Sequence, residues 1–221
     1  MWAIVAHRCV PDQIAHGNPA PRRLVDLSHG RERGWALLKD IRGPAQFLLI
    51  PTAWITGIED PRLLAGGVPN YWQAAWQERD KAADRAGLPA ASERIGLAVN
   101  SALGRTQDQL HIHIDCLRPV TIAALRTAPA SSHWSPVVIA GRAYATRAIA
   151  ADSLRGIDVF GLVAARARAL GIPMAWETVA VAATRGRAGR PLFHVLVATV
   201  SPRQPFGAED LLDHTCGEKG R

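Results

Sequence analysis

Antiparallel sheet in an α+β arrangement is what this 221-residue chain predicts. Three observations carry the prediction: short apolar runs joined by tight turns, one long amphipathic helix with such runs grouped around it, and a second pass in similar order. Residues 24–28 and 33–39 read as strands around the His29-Gly30 turn, and residues 45–51 are short and continuously apolar, as a buried strand is. Glu59-Asp60-Pro61 signals a helix start. Asn70 opens a helix through Gly87, with Trp72, Ala75, Trp76 and Arg79 at three-to-four spacing and Gly87-Leu88-Pro89 as its stop. Residues 95–100 and 109–116 then form a hairpin over a loop containing Gly104.

The second half follows with residues 135–144 as a strand and 157–170 as a helix ended by Gly171. Residues 175–183 and 192–200 form a hairpin over the basic turn Arg185-Gly186-Arg187-Ala188-Gly189-Arg190. Phe193, Val195 and Val197 share one strand face and His194 takes the other, as a packed histidine. Helix, then two strands, is the order of the first half. Two readings stand: a degenerate duplicate, or an unrelated appendage. The division falls between residues 1–120 and 121–221.

A hydrophobic share of 48% suffices for a packed core. The formal charge of +7, mostly arginine, and a pI near 10.1 favour anionic partners: a diphosphate, a lipid headgroup surface or nucleic acid. No helix-turn-helix, RNA-recognition or zinc-finger signature supports the last of these. No run reaches the roughly 18 apolar residues of a membrane-spanning helix. Trp134 and Trp176 read as core, and the basic turn as a solvated loop able to touch anionic headgroups. Cys9, Cys116 and Cys216 allow one disulfide; two of the three pairings involve Cys9, and either would staple the chain start to the core.

The segment Gly104-Arg105-Thr106-Gln107-Asp108-Gln109-Leu110-His111-Ile112-His113-Ile114 holds the chemistry. On a strand, His111 and His113 project to one face and Leu110, Ile112 and Ile114 to the other. An H-x-H pair alone fits a half-exposed strand with solvated histidines. Zinc would need further donors, and the chain has neither C-x-x-C nor H-E-x-x-H. The third reading is nucleophilic attack at phosphorus by a neutral imidazole.

Its surroundings favour that third reading. The segment resembles the histidine-triad superfamily, whose pattern is three histidines alternating with apolar residues behind a Gly-Gln-Ser/Thr loop. Here Gln109, His111 and His113 occupy the alternating positions, so glutamine replaces the first histidine. Residues 38–52, Leu-Lys-Asp-Ile-Arg-Gly-Pro-Ala-Gln-Phe-Leu-Leu-Ile-Pro-Thr, resemble the superfamily's nucleotide-binding strands. Cys9-Val10-Pro11-Asp12-Gln13, residues 70–80, Ala98-Val99-Asn100-Ser101 and Cys116-Leu117-Arg118-Pro119 resemble the CDP-diacylglycerol pyrophosphatase family in particular.

The resemblance implies a histidine-triad-like sheet, with the degenerate second half completing an internal pseudo-dimer. It also implies hydrolysis of CDP-diacylglycerol to CMP and phosphatidate, with His111 as nucleophile and a CMP-histidine intermediate. His113 and Gln109 would bind phosphate oxygens or orient His111; Arg105 and Thr106 would hold nonbridging oxygens, and Asn100 would contact the reacting phosphate. Asp40 matches the acidic residue that contacts ribose. Lys39 could add charge, and Trp54, Trp72 and Trp76 are candidates for the acyl-chain entrance. No metal or cofactor is implied. The expected partners are a nucleotide-lipid substrate and an anionic membrane surface, without nucleic acid; monomer and homodimer both remain open. Members of that family work outside the cytoplasm behind a hydrophobic N-terminal anchor; the sequence here starts only a few residues before Cys9, and the anchor is expected to be missing from it. An enzyme acting on a soluble nucleotide and a noncatalytic nucleotide or anionic-lipid binding module are the competing functions.

Overall fold

The structure, a computed structural model, describes residues 2–17, 23–90, 92–186 and 189–217. Its centre is a nine-stranded antiparallel sheet in the order β1-β2-β3-β5-β4-β8-β9-β7-β6. The first half supplies β1 (Arg23–Asp26), β2 (Trp35–Lys39), β3 (Phe47–Pro51), β4 (Ile95–Val99) and β5 (Ile112–Cys116). The second supplies β6 (Ser135–Ile139), β7 (Arg142–Ala150), β8 (Glu177–Arg185) and β9 (Pro191–Thr199). The halves join where β4 pairs with β8, Leu97 opposite Val181. The second half runs strand, strand, helix, strand, strand, and the first half follows the same order from β2 onward, with β1 added at the sheet edge.

Helices cover one face. Leu49, Leu97, Ile112, Ile114, Val181 and Val195 pack there against Trp72, Trp76, Phe160 and Val163. Asn70 caps α3 (Tyr71–Gln77), its side chain accepting from the Gln73 backbone N–H, and Asp158 caps α6 (Val159–Ala169) likewise through Gly161. The helix expected from Asn70 to Gly87 is broken at Glu78: α3 ends at Gln77 and α4 spans Arg79–Arg85. At the break the Arg79 guanidinium donates to the Trp76 carbonyl at 2.6 Å and lies over its indole. The bend brings Ala82 and Ala83 into the same core.

The opposite face is capped in two places. The N-terminal helical segment, which ends in α2 (Val10–His16), packs Val5, Cys9 and Val10 on Val25, Ala36, Leu38, Leu48 and Ile50. The helix α5 (Pro119–Thr127) and residues 206–212 cover Ala98, Ala180, Ala182 and Leu196. His113 is paired directly with Leu48 on β3 and Ala98 on β4, so it faces the gap between these caps.

Residues 135–144 are two strands instead of the one expected. Ala140 and Gly141 both have positive φ, 51° and 79°, which closes a tight hairpin between β6 and β7. Alanine gives little warning of such a turn. Neither the N-terminal helical segment nor α5 was anticipated. The disulfide joins Cys116 to Cys216, the pairing without Cys9, and Cys9 is buried under the N-terminal cap. Of the basic turn, Arg187 and Ala188 lie outside the described residues. Among the described residues no helix is long and apolar enough to cross a membrane.

Candidate active site

Residues 101–111 form a braced loop between β4 and β5. The Ser101 carbonyl accepts from Gly104 and Arg105 N–H, and Leu110 N–H donates to the Ile55 carbonyl at 2.7 Å. Gly104 passes so close to Phe206 that an added Cβ would meet the Phe206 carbonyl oxygen at 3.0 Å. Phe206 belongs to the C-terminal segment, so that segment and the loop are fitted to each other.

The loop delivers His111 to the edge of β5 in one tautomer. Its Nδ1 lies 2.7 Å from the Gln109 carbonyl, which can only accept, so Nδ1 carries the proton and Nε2 keeps its lone pair. Burial pushes the His111 pKa below the ordinary histidine value, partly offset by that hydrogen bond. The imidazole is therefore neutral at neutral pH.

His113 lies edge-on to His111, with ring centroids 4.9 Å apart. It is fixed from behind: one Gln46 amide N–H donates to its Nδ1 at 2.9 Å and the other to Asp40 Oδ2 at 2.6 Å. That arrangement places the His113 proton on Nε2. Glu209 Oε2 is 3.3 Å from this Nε2, which completes no hydrogen bond. Burial, with His111 beside it, holds His113 well below the ordinary value. On the same strand face Asp115, only 1% exposed, holds His214 Nδ1 at 3.0 Å. The carboxylate raises the His214 pKa, while burial raises that of Asp115.

A cavity of about 180 Å³ opens over the two imidazoles. Asp40, Asn100, Thr106, His111, His113 and Glu209 line it, so most of the expected site residues converge. Asn100 turns its amide oxygen to the Glu209 backbone N–H, leaving its NH₂ as the group it can offer. Arg42 stands at the rim, 3.7 Å from Glu209. Lys39 donates to the Asp40 and Gly43 carbonyls and so holds the rim loop.

Two expected phosphate ligands, Arg105 and Gln109, border a small void beside Asn100 and His111, but their N–H groups are engaged by protein partners. The Arg105 guanidinium reaches Glu59 at 2.7 Å and Asp108 at 2.8 Å and does not line the cavity over the imidazoles. The Gln109 amide N–H groups go to the Ala53 and Pro51 carbonyls. Trp72 and Trp76 are core on the far side of the sheet, while Trp54 is half-exposed against Trp2. Trp176, expected in the core, is 40% exposed. Gln46, Glu209 and His214 escaped the sequence reading of the site; each reaches it through tertiary contacts with no local motif. Among the described residues no set of three or more His, Cys, Asp or Glu side chains is placed to hold a metal ion.

A neutral, tautomer-fixed histidine beside a second imidazole donor, in a small polar cavity, suits attack on phosphorus. A sequence model of the family described as CDP-diacylglycerol pyrophosphatase matches residues 1–219. A CDP-diacylglycerol pyrophosphatase of Yersinia pestis is 38% identical over 223 residues, covering 98% of this chain and 83% of that protein. With a match over nearly its whole length and a relative this similar, the chain belongs to the CDP-diacylglycerol pyrophosphatase family.

Proposed function

We propose that this protein hydrolyses CDP-diacylglycerol to CMP and phosphatidate through a nucleotidyl-histidine intermediate on His111. The observation that carries the reading is the 2.7 Å bond from His111 Nδ1 to the Gln109 carbonyl, which leaves Nε2 as a neutral nucleophile at the cavity. In the first step Nε2 attacks the phosphorus bearing cytidine. The bond to the bridging oxygen breaks, and phosphatidate leaves with the electron pair. His113 Nε2–H, a buried donor with no completed hydrogen bond, suits a substrate oxygen as negative charge builds. Thr106 and the Asn100 amide donate to nonbridging oxygens, and Asp40 accepts from ribose hydroxyls. Gln109 acts through its backbone carbonyl, and Arg105 braces the loop through Glu59 and Asp108.

The sheet order supports a histidine-triad-like pseudo-dimer made of residues 1–120 and a degenerate second half. Superposing the halves about Leu97 and Val181 carries Ala98 onto Ala182, and with it the cross-strand partner His113 onto His194. Leu192 then falls where His111 stands, so the second half lacks a nucleophile. The basic composition and the lipid substrate fit work at an anionic membrane surface, and the Cys116–Cys216 disulfide fits the extracytoplasmic side.

Turnover of CDP-diacylglycerol by His111→Ala tests the reading: substrate binding stays and CMP release is lost. CMP release persisting at the unmutated rate would remove His111 as nucleophile. CDP-choline hydrolysed in preference to CDP-diacylglycerol would point instead to a soluble-nucleotide enzyme.

A further inference from the structure

The first half-reaction needs no base, because His111 attacks as a neutral imidazole and a phosphate departs. The second does. Water must replace the imidazole on phosphorus, and its proton needs an acceptor that the groups named so far do not provide. His113 Nδ1 is engaged by Gln46, and its Nε2 already carries hydrogen. Asp40 accepts from Gln46 at one oxygen and from the Arg42 backbone N–H at the other, and its remaining acceptor sites are those assigned above to the ribose hydroxyls. Asn100, Thr106 and Gln107 have no group that takes a proton near neutral pH.

Glu209 remains. It stands in the 3₁₀ turn Ala208–Leu211, whose backbone is tied to the site by Glu209 N–H on Asn100 Oδ1 and Ala208 N–H on Thr178 Oγ1. The turn packs over β4 and β8, so its carboxylate reaches the cavity from the capping layer while both imidazoles rise from the sheet. A carboxylate in a pocket for a diphosphate repels its own ligand. Arg42, at 3.7 Å, offsets only part of that charge. Such a group is costly for binding and useful for proton transfer.

We propose that Glu209 is the general base of the hydrolytic half-reaction, an inference that rests on the nucleotidyl-histidine reading. The water oxygen forms the new P–O bond as the P–Nε2 bond breaks, returning its electron pair to His111. The water proton passes to Glu209 and from there to solvent. His111 keeps the Nδ1 proton it shares with Gln109, so it leaves as neutral imidazole and CMP leaves as an anionic monoester.

The test is a single-turnover reaction of the whole protein and its Glu209→Gln variant with CDP-diacylglycerol in mixed micelles. Acid-free quenching and intact-mass measurement read the CMP adduct, and phosphatidate and CMP are timed separately. In the variant, phosphatidate appears as a burst of one equivalent per chain, the adduct accumulates, and CMP release falls about 10²- to 10⁴-fold. The burst also shows that the variant is folded. Unchanged CMP release in Glu209→Gln overturns the proposal, and so does equal loss of burst and CMP. If His111→Ala still turns over and no protein carries an adduct, the intermediate itself fails and the base falls with it.

Discussion

The two halves of the sheet each place a buried histidine at the corresponding strand, β5 and β9, and use it differently. His194 is closed on both sides: Nδ1 is 3.3 Å from Thr146 Oγ1 and Nε2 is 3.1 Å from Thr184 Oγ1. His113 is closed on one side only, by Gln46, and its Nε2 faces the cavity. Burial lowers the pKa of both. A buried histidine is thus no mark of chemistry by itself; a ring nitrogen that completes no hydrogen bond, in a residue lining a space that can hold a ligand, is the distinguishing feature.

The strongest way to break this contrast is to exchange the residues that carry it. His111→Ala should lower CMP release about a thousandfold or more, whereas Leu192→Ala should leave kcat unchanged; equal losses would sink the asymmetry. Cys216→Ser should cost about 3 to 5 kcal/mol of stability, read from the urea midpoint, because the disulfide closes a 100-residue span. An unshifted midpoint would mean the bridge does not form in solution. Gln46→Leu removes the donor that sets the His113 tautomer and should lower kcat roughly tenfold to a hundredfold with KM little changed. A rise in KM alone would assign Gln46 to binding.

The pH dependence sharpens the same comparison. His111 and His113 both titrate below the ordinary value of 6.5, so the unfolded chain binds more protons than the folded one as pH falls beneath 6.5. Stability therefore declines toward acid, and kcat/KM declines as His111 is protonated, with a midpoint below 6.5. His214 has the opposite sign: its stabilisation with Asp115 is full below 6.5 and is lost as pH rises through its raised folded value. An acid limb centred above 6.5 would contradict a buried neutral nucleophile. The smallest effect is expected at His194→Ala, about 1 to 2 kcal/mol in the melting curve from hydroxyls left unsatisfied, with CMP release unchanged.

What the sequence disclosed follows from the range of the interactions. The Asn70 cap, the β4–β5 and β8–β9 hairpins, and the alternation through Ile112 and His113 are local and lie where the sequence places them, although β5 begins only at Ile112 and leaves Leu110 and His111 in the loop before it. The loop position of Arg105 suggests a phosphate ligand; of the two carboxylates that hold it instead, Asp108 is three residues away, but Glu59 is 46 residues away, beyond any spacing rule. Gln46 acquires meaning only when β3 is paired beside β5. Glu209 and His214 become site neighbours only after the C-terminal segment folds back over the sheet, and no periodicity marks that return.

The Cys116–Cys216 bridge also sets an order of events. Everything on β5 has been synthesised while the residues that finish its surroundings, Glu209, His214 and Cys216, are still to be added, the last of them 100 residues after Cys116. At roughly 5 to 20 residues per second, that gap lasts about five to twenty seconds. During this interval the nascent histidine strand has its floor but neither its carboxylate nor its covalent tether, so the reaction centre is completed by synthesis of the tail.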